Sequence, residues 1–228
     1  MLTLHDYQPS LNGWKVRVLL DFLRTPYRTR EVALFQDESR SEGFLKLNPV
    51  GAIPVLELED GRSIAESSAI LVYLAEGTPF LPGDRYARAK VVQWLSFEQY
   101  YIEPTIGSLR FWTLTGRLGL NAGRMVDSRR ENAERALAAL ERTLGKASFL
   151  VGDGLTIADI AVYAYTHRAE DCGFSFAPHP KLRAWLERVA DRVGRDHPVV
   201  PYTADAMLHV ADRNRVRGEI EDADKASR

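Results

Sequence analysis

The sequence predicts an α/β N-terminal domain followed by an all-α C-terminal domain. Three observations predict it. Residues 1–78 alternate between strand and helix patterns in the order β-α-β-(α)-β-β-α. The segment "TPFLPGD" (residues 78–84) holds two prolines and a glycine, as domain linkers do. Beyond it no alternating strand recurs, and apolar residues repeat every three or four positions. The division is therefore residues 1–78, a linker over 79–86, and a helical domain over 87–228 whose tail turns polar from about residue 203.

Leu2 and Leu4 alternate with Thr3 and His5, which predicts a short strand with one buried face. Trp14, Val18, Leu19, Phe22 and Leu23 share a helix face, and Pro26 ends that helix. "YRTREVAL" reads as a second strand, and "FQDESRSEGFLKL" as a loop with a short helix. Val55, Leu56 and Leu58 lead into Asp60-Gly61, a dipeptide suited to a tight hairpin, and Ile64 returns. "ESSAILVYLAEG" is a helix with Ile70, Tyr73 and Leu74 on one face and Gly77 at its C-terminal end.

The second domain opens with a long helical pattern over 85–112, interrupted near Pro104. Ala133, Ala136, Leu137, Leu140 and Leu144 mark an amphipathic helix over 128–144. In "LTIADIAVYAY", Thr156 caps a helix and Asp159 stands three residues on, the spacing of a capping box. "PKLRAWLERVADRVG" is a further helix beginning at a proline, and the final "GEIEDADKASR" suits a loosely held tail.

Composition narrows the function classes. Thirty basic against thirty-one acidic residues leave a charge of −1, which gives no reason to expect nucleic acid or an anionic membrane as partner. Cys172 is the single cysteine, so no internal disulfide is possible, and it reads as a small buried hydrophobe. No secretory signal opens the sequence and no apolar stretch nears the ~20 residues of a membrane span, so a cytoplasmic protein is expected. The five histidines fall in no metal-ligand spacing and no phosphate loop is present, so neither metal nor nucleotide is expected.

Three stretches of the first domain carry possible chemistry. Pro54 opens a strand behind Gly51. An ordinary trans peptide is favoured by frequency, since only ~5–6% of X–Pro bonds are cis. A cis Ile53–Pro54 bond would instead leave the Ile53 N–H and C=O free to pair with an extended peptide. "AESSAI" opens a helix, where Ser67 is either a plain cap or part of a carboxylate site, with Glu66 able to accept from an ammonium. Ser10 stands at a strand-to-helix turn, where it either caps the helix or donates to an anion held there. For a thiolate the sizes suffice: a charged hydrogen bond of ~1.5–3 kcal/mol with ~0.3–1 from the helix dipole can lower a thiol of pKa ~8.5 by about two units.

Taken together, "NPVGAIPVLE", "AESSAI" and "VGDGLTIADIAVY", in this element order, resemble the glutathione S-transferase family over nearly the whole chain. The resemblance implies an α/β thioredoxin-like N-terminal domain joined to an all-α helical domain, with glutathione as co-substrate. Ile53 and Pro54 would present the backbone that pairs with the cysteinyl unit. Glu66 and Ser67 would hold the γ-glutamyl end, and Arg40 the glycyl carboxylate. Ser10 would stabilise the thiolate, in preference to Tyr7 nearby. Asn12, in "PSLNGWKV", is similar to the asparagine of the nu-type bacterial branch, which is associated with disulfide reduction as well as conjugation. The absence of cysteine at this turn sets the chain apart from omega-like relatives.

A second substrate, a small electrophile or a disulfide, would lie between the domains against Tyr101, Phe111, Trp112 and Tyr165, with Tyr100 as further aromatic material. The resemblance also implies a homodimer, to which Phe35 in an exposed loop would add. Two alternatives to conjugation remain open: glutathione-dependent disulfide reduction, and a non-catalytic scaffold of the same fold.

Overall fold

The structure, a computed structural model, describes residues 1–193 and 197–207. Strands β1 (Leu2–Asp6), β2 (Tyr27–Glu31), β3 (Val55–Glu57) and β4 (Ser63–Ala65) form one sheet in the order β2-β1-β3-β4. β2 runs parallel to β1, as a crossover through helix α1 (Leu11–Phe22) requires. β3 and β4 are antiparallel neighbours, joined at Gly61 with φ +83°. Both faces of β1 are covered, Leu4 packing on Val16, Leu20 and Ile70, and His5 on Phe44. Thr3, His5 and Asp6 are buried along with Leu4, which corrects the expectation of a single buried face. A period of two reports one wet face, and a strand covered by helices on both faces has none.

Helix α2 (Glu42–Leu47) follows two short 3₁₀ turns, and Ser41 caps it by accepting from the Phe44 N–H at 3.3 Å. In α3 (Ser67–Ala75) the inward residues are Ser67, Ile70, Leu71 and Ala75, whereas Tyr73 is 49% exposed. The predicted apolar face is thus rotated by about one residue. Helix α4 (Arg85–Phe97) does not break at Pro104. It continues as a π-helical segment, Glu98–Gly107, into α5 (Ser108–Leu114). A wider turn accommodates a proline that lacks an N–H, and such segments recur at functional sites.

Helices α6 (Gly123–Thr143), α7 (Ile157–Thr166) and α8 (Pro180–Val193) complete the second domain. Every residue of α7 is buried. Its start is held by a capping box in which Asp159 Oδ2 accepts from the Thr156 N–H and hydroxyl, both at 3.0 Å. Asp159 Oδ1 accepts from the Leu150 N–H at 2.9 Å and from the Trp185 indole at 3.0 Å, tying α7 to α8 and the loop before it.

The largest core does not respect the domain boundary. Leu11, Trp14, Val18 and Leu19 of α1 and Leu71 of α3 share it with Ile157, Ile160 and Ala161 of α7. A smaller cluster of Leu4, Val16, Leu20, Leu56 and Ile70 lies between sheet and helices. Past α8 the chain returns to the first domain. The Trp14 indole donates to the His197 carbonyl at 2.8 Å, and the Tyr7 hydroxyl meets Thr203 Oγ1 at 2.6 Å. Ala206 is fully buried. The segment 197–207 is thus tied to the first domain at His197 and Thr203 and buried at Ala206, past the point where the chain turns polar. "GEIEDADKASR" lies outside the described residues.

Candidate functional site

Two cavities meet at the first turn of α1. The smaller, about 150 Å³, is polar, and Asn12, Asn48, Ile53, Glu66, Ser67 and Gln99 line it. The larger, about 320 Å³, is aromatic and includes Tyr7, Phe35, Phe111, Trp112, Tyr165 and Tyr202, with Ser10 at its wall. Glu103 lines both. It sits on the π-helical segment, immediately before Pro104.

The polar cavity is built by backbone. The Ile53–Pro54 peptide is cis. Among the described residues, neither the Ile53 N–H nor its C=O has a hydrogen-bond partner, so both are open to an extended ligand. Buried Asn48 steadies the loop before it, donating to the Ala52 carbonyl at 2.8 Å and accepting from the Val50 N–H at 3.1 Å. Opposite, Glu66 precedes α3 with φ +68°, a conformation costly for a side-chain-bearing residue. Ser67 follows, buried at the first turn of α3, where helical N–H groups lack internal partners. Its hydroxyl donates to Asn12 Oδ1 at 3.4 Å.

Ser10 is the residue before α1, with extended backbone and no capping bond from its side chain. Its N–H donates to the Tyr7 carbonyl at 2.7 Å and its carbonyl accepts from the Trp14 N–H at 2.9 Å, so the backbone is fixed, while among the described residues the hydroxyl has no partner. Tyr7 differs: its hydroxyl is engaged by Thr203, whose own N–H donates to it at 3.2 Å. The turn is also tight. A Cβ on Gly13 would overlap the buried Asp6 carboxylate, which pairs with Arg17. Only glycine fits there.

Phe35 stacks on Phe111 with ring centres 6.3 Å apart and meets Tyr7 edge-on at 5.6 Å. It belongs to the cleft wall and is not an exposed loop residue, which corrects that expectation. Tyr165 is buried, and burial pushes its hydroxyl well above the usual phenol range. Burial also raises the Glu103 carboxyl, with Lys15 opposing and Glu98 reinforcing.

The structure brings Ser10, Asn12, Ile53, Pro54, Glu66, Ser67, Phe111, Trp112 and Tyr165 to these two cavities. It does not bring Arg40, which is exposed, lines neither, and reaches the Val50 carbonyl at 3.4 Å. Nor does it bring Tyr101, which with Tyr100 and Phe97 lines a separate open hollow of about 590 Å³. Cys172 is buried away from the site, its thiol pushed up to about 11 by that burial. Asn48, Gln99, Glu103 and Tyr202 escaped sequence reasoning. Helical spacing offered a partial signal for Glu103 alone, since Pro104 marks the irregular turn beside it. Among the described residues no cluster of His, Cys, Asp or Glu is placed to hold a metal, and no helix is long and apolar enough to cross a membrane.

The chain is similar to known proteins over most of its length. Residues 9–76 match the model of the glutathione S-transferase N-terminal domain, and residues 126–188 that of the C-terminal domain. A crystal structure of a glutathione S-transferase from Pseudomonas fluorescens is 40% identical, with a TM-score of 0.78, covering 83% of this chain and 94% of that one. Human glutathione transferase theta-2, solved in complex with glutathione, is 29% identical with a TM-score of 0.77, covering 86% and 84%. Maleylacetoacetate isomerase of Rhizobium meliloti is 32% identical over 207 residues, 86% of this chain and 95% of that protein. In fold and in sequence alike, the chain belongs to the glutathione S-transferase family.

Proposed function

We propose that this chain is a glutathione-dependent transferase that binds glutathione in the polar cavity and an apolar electrophile in the aromatic one. The observation that carries the reading is the unused Ser10 hydroxyl at the start of α1, where the two cavities adjoin. The cysteinyl unit of glutathione pairs with the Ile53 backbone, its γ-glutamyl end lies against Glu66 and Ser67, and its sulfur reaches the first turn of α1. There Ser10 and the helix dipole favour the thiolate. The thiol proton leaves to solvent, and the thiolate attacks the electrophile held against Phe111, Trp112 and Tyr165. The protein supplies position and a lowered pKa, and glutathione supplies the nucleophile.

The glutathione complex of the human theta-2 relative supports the co-substrate. A homodimer, expected from the family, draws support from the exposed Tyr86, Val92, Tyr100 and Tyr101 on one helical stretch. Calorimetric titration with reduced glutathione tests the site. Wild type binds between micromolar and low millimolar, and Ser67→Ala binds clearly more weakly; no binding by wild type refutes the assignment.

A second reading keeps the site and changes the reaction. The likeness to maleylacetoacetate isomerase along nearly its full length favours a thiolate that adds to a conjugated double bond and is then expelled. Reduction of a disulfide, with Asn12 beside the sulfur, is the third use of the same thiolate. Side-by-side assays of the three reactions on one preparation separate them.

A further inference from the structure

We propose that Lys15 is a positioning residue that fixes Asn12 as a hydrogen-bond donor toward the glutathione sulfur. The inference rests on the glutathione assignment above. Lys15 is on α1 and has no exposed surface, which is rare for a lysine. Its Nζ donates to Asn12 Oδ1 and to Glu98 Oε1, each at 2.8 Å, and lies 5.2 Å from the centre of the Tyr165 ring. Glu98 is equally buried, and its other oxygen accepts from Gln99 Nε2 at 2.8 Å. Cation, counter-ion and amide thus form one fixed group beneath the polar cavity.

The chemistry of this group decides which way Asn12 faces. An ammonium only donates, so the Asn12 atom beside it must be the carbonyl oxygen. The Ser67 hydroxyl converges on that same oxygen at 3.4 Å. With Oδ1 held by two donors, the amide Nδ2 is turned away from them. Among the described residues it has no hydrogen-bond partner, while Asn12 itself lines the cavity. Two N–H bonds are therefore left for an acceptor in the site, and a thiolate is the acceptor placed there by the glutathione assignment. The Lys15 charge is offset at contact by Glu98, so its effect on the sulfur passes through Asn12. A pair of apolar residues would fill this space at less cost than a buried ion pair. What apolar residues cannot do is impose an orientation on a neighbouring amide.

Three variants test the proposal, read by the pH dependence of thiolate absorbance for glutathione bound to the protein. Asn12→Asp keeps an oxygen against Lys15 and preserves the pairing, but cannot donate. It is expected to fold as wild type and to raise the bound thiol's pKa by about one to two units. The double variant Lys15→Met with Glu98→Met removes the pair without leaving a lone buried charge. It is expected to keep glutathione affinity within about threefold and to raise the thiol pKa by a similar amount. Adding Asn12→Ala to that background should then produce no further rise.

A wild-type thiol pKa in Asn12→Asp overturns the proposal, whether or not the double variant folds. So does a wild-type value in the double variant when Asn12→Ala alone raises it. Failure of wild type to bind glutathione overturns instead the assignment on which the proposal stands.

Discussion

Replacing Ser10 with alanine isolates the group on which the proposed chemistry depends. The Ser10 side chain caps nothing, so its loss should change stability by no more than ~0.5 kcal/mol. A hydrogen bond to a charged acceptor contributes ~1.5–3 kcal/mol, and 1.36 kcal/mol is one pKa unit, so the bound thiol should rise by about one to two units. A thiol lowered from ~8.5 to about 6.5 is half ionised at pH 6.5. Raised to about 8, it is only about 3% ionised there, and kcat/KM at that pH should fall roughly fifteenfold. Above pH ~9 the two proteins should converge, because both thiols are then ionised. The assay is kcat/KM for an aryl halide electrophile across that range, with Tyr7→Phe alongside. Tyr7 spends its hydroxyl on Thr203, so its variant should loosen the segment over the cleft and raise KM without moving the pH profile. A Ser10→Ala loss that is equal at every pH, or a profile shift in Tyr7→Phe alone, refutes the assignment.

Asp159→Ala should lower the stability measured by urea unfolding by about 4–6 kcal/mol, because the buried Leu150 and Thr156 N–H groups and the Trp185 indole all lose their acceptor. A loss under ~1.5 kcal/mol would show that water replaces the carboxylate. Gly13→Ala should cost about 1–3 kcal/mol in the same assay, since its Cβ would overlap the buried Asp6 carboxylate. Gly43→Ala, in α2 with nothing within 4 Å, should instead gain ~0.5–1 kcal/mol. His167, whose Nδ1 lies 2.8 Å from the Tyr163 carbonyl, has its pKa lowered by burial from 6.5 to about 4. The unfolded chain then binds the extra proton between those values, so the contribution is fully present above pH 6.5 and is lost as pH falls to about 4. The loss should approach roughly 3 kcal/mol in wild type, and His167→Gln should flatten that part of the stability-against-pH curve.

Elements with strong periodicity or punctuation are legible in the sequence: α1, the Asp60-Gly61 hairpin and the α7 capping box all stand where it predicts them. The misjudged features depend on what lies across from a residue. The burial of both faces of β1 follows from the side chains of α1 and α3 on one side and Phe44 of α2 on the other, which local alternation does not encode. Phe35 reads as a surface aromatic until Phe111, 76 positions later, is folded against it. Tyr101 carries the right chemistry for the cleft but faces the wrong side of its helix. Of the site, local signals mark Pro54 and the α3 start but favour a trans peptide and a plain cap; only the family resemblance points to the cis peptide and the polar cavity. The Lys15–Glu98 pair was not, since a lysine inside an amphipathic pattern is ordinarily solvated, and only its distant carboxylate allows it to be buried.

The clasp between Tyr7 and Thr203 spans 196 positions, and this has a consequence for how the protein is made. On a ribosome the sheet, α1 and the loops that line the polar cavity emerge early, and the sharing of the α1 core must wait for α7. Tyr202, which lines the aromatic cleft, arrives later still. Until then Tyr7, Phe35 and Phe111 offer a sticky apolar surface to the cell. A nascent chain stalled before residue 197 would therefore be a client for chaperones, even with its N-terminal half in order. Selection on the 197–207 segment would act through protein yield as well as through the shape of the aromatic cleft.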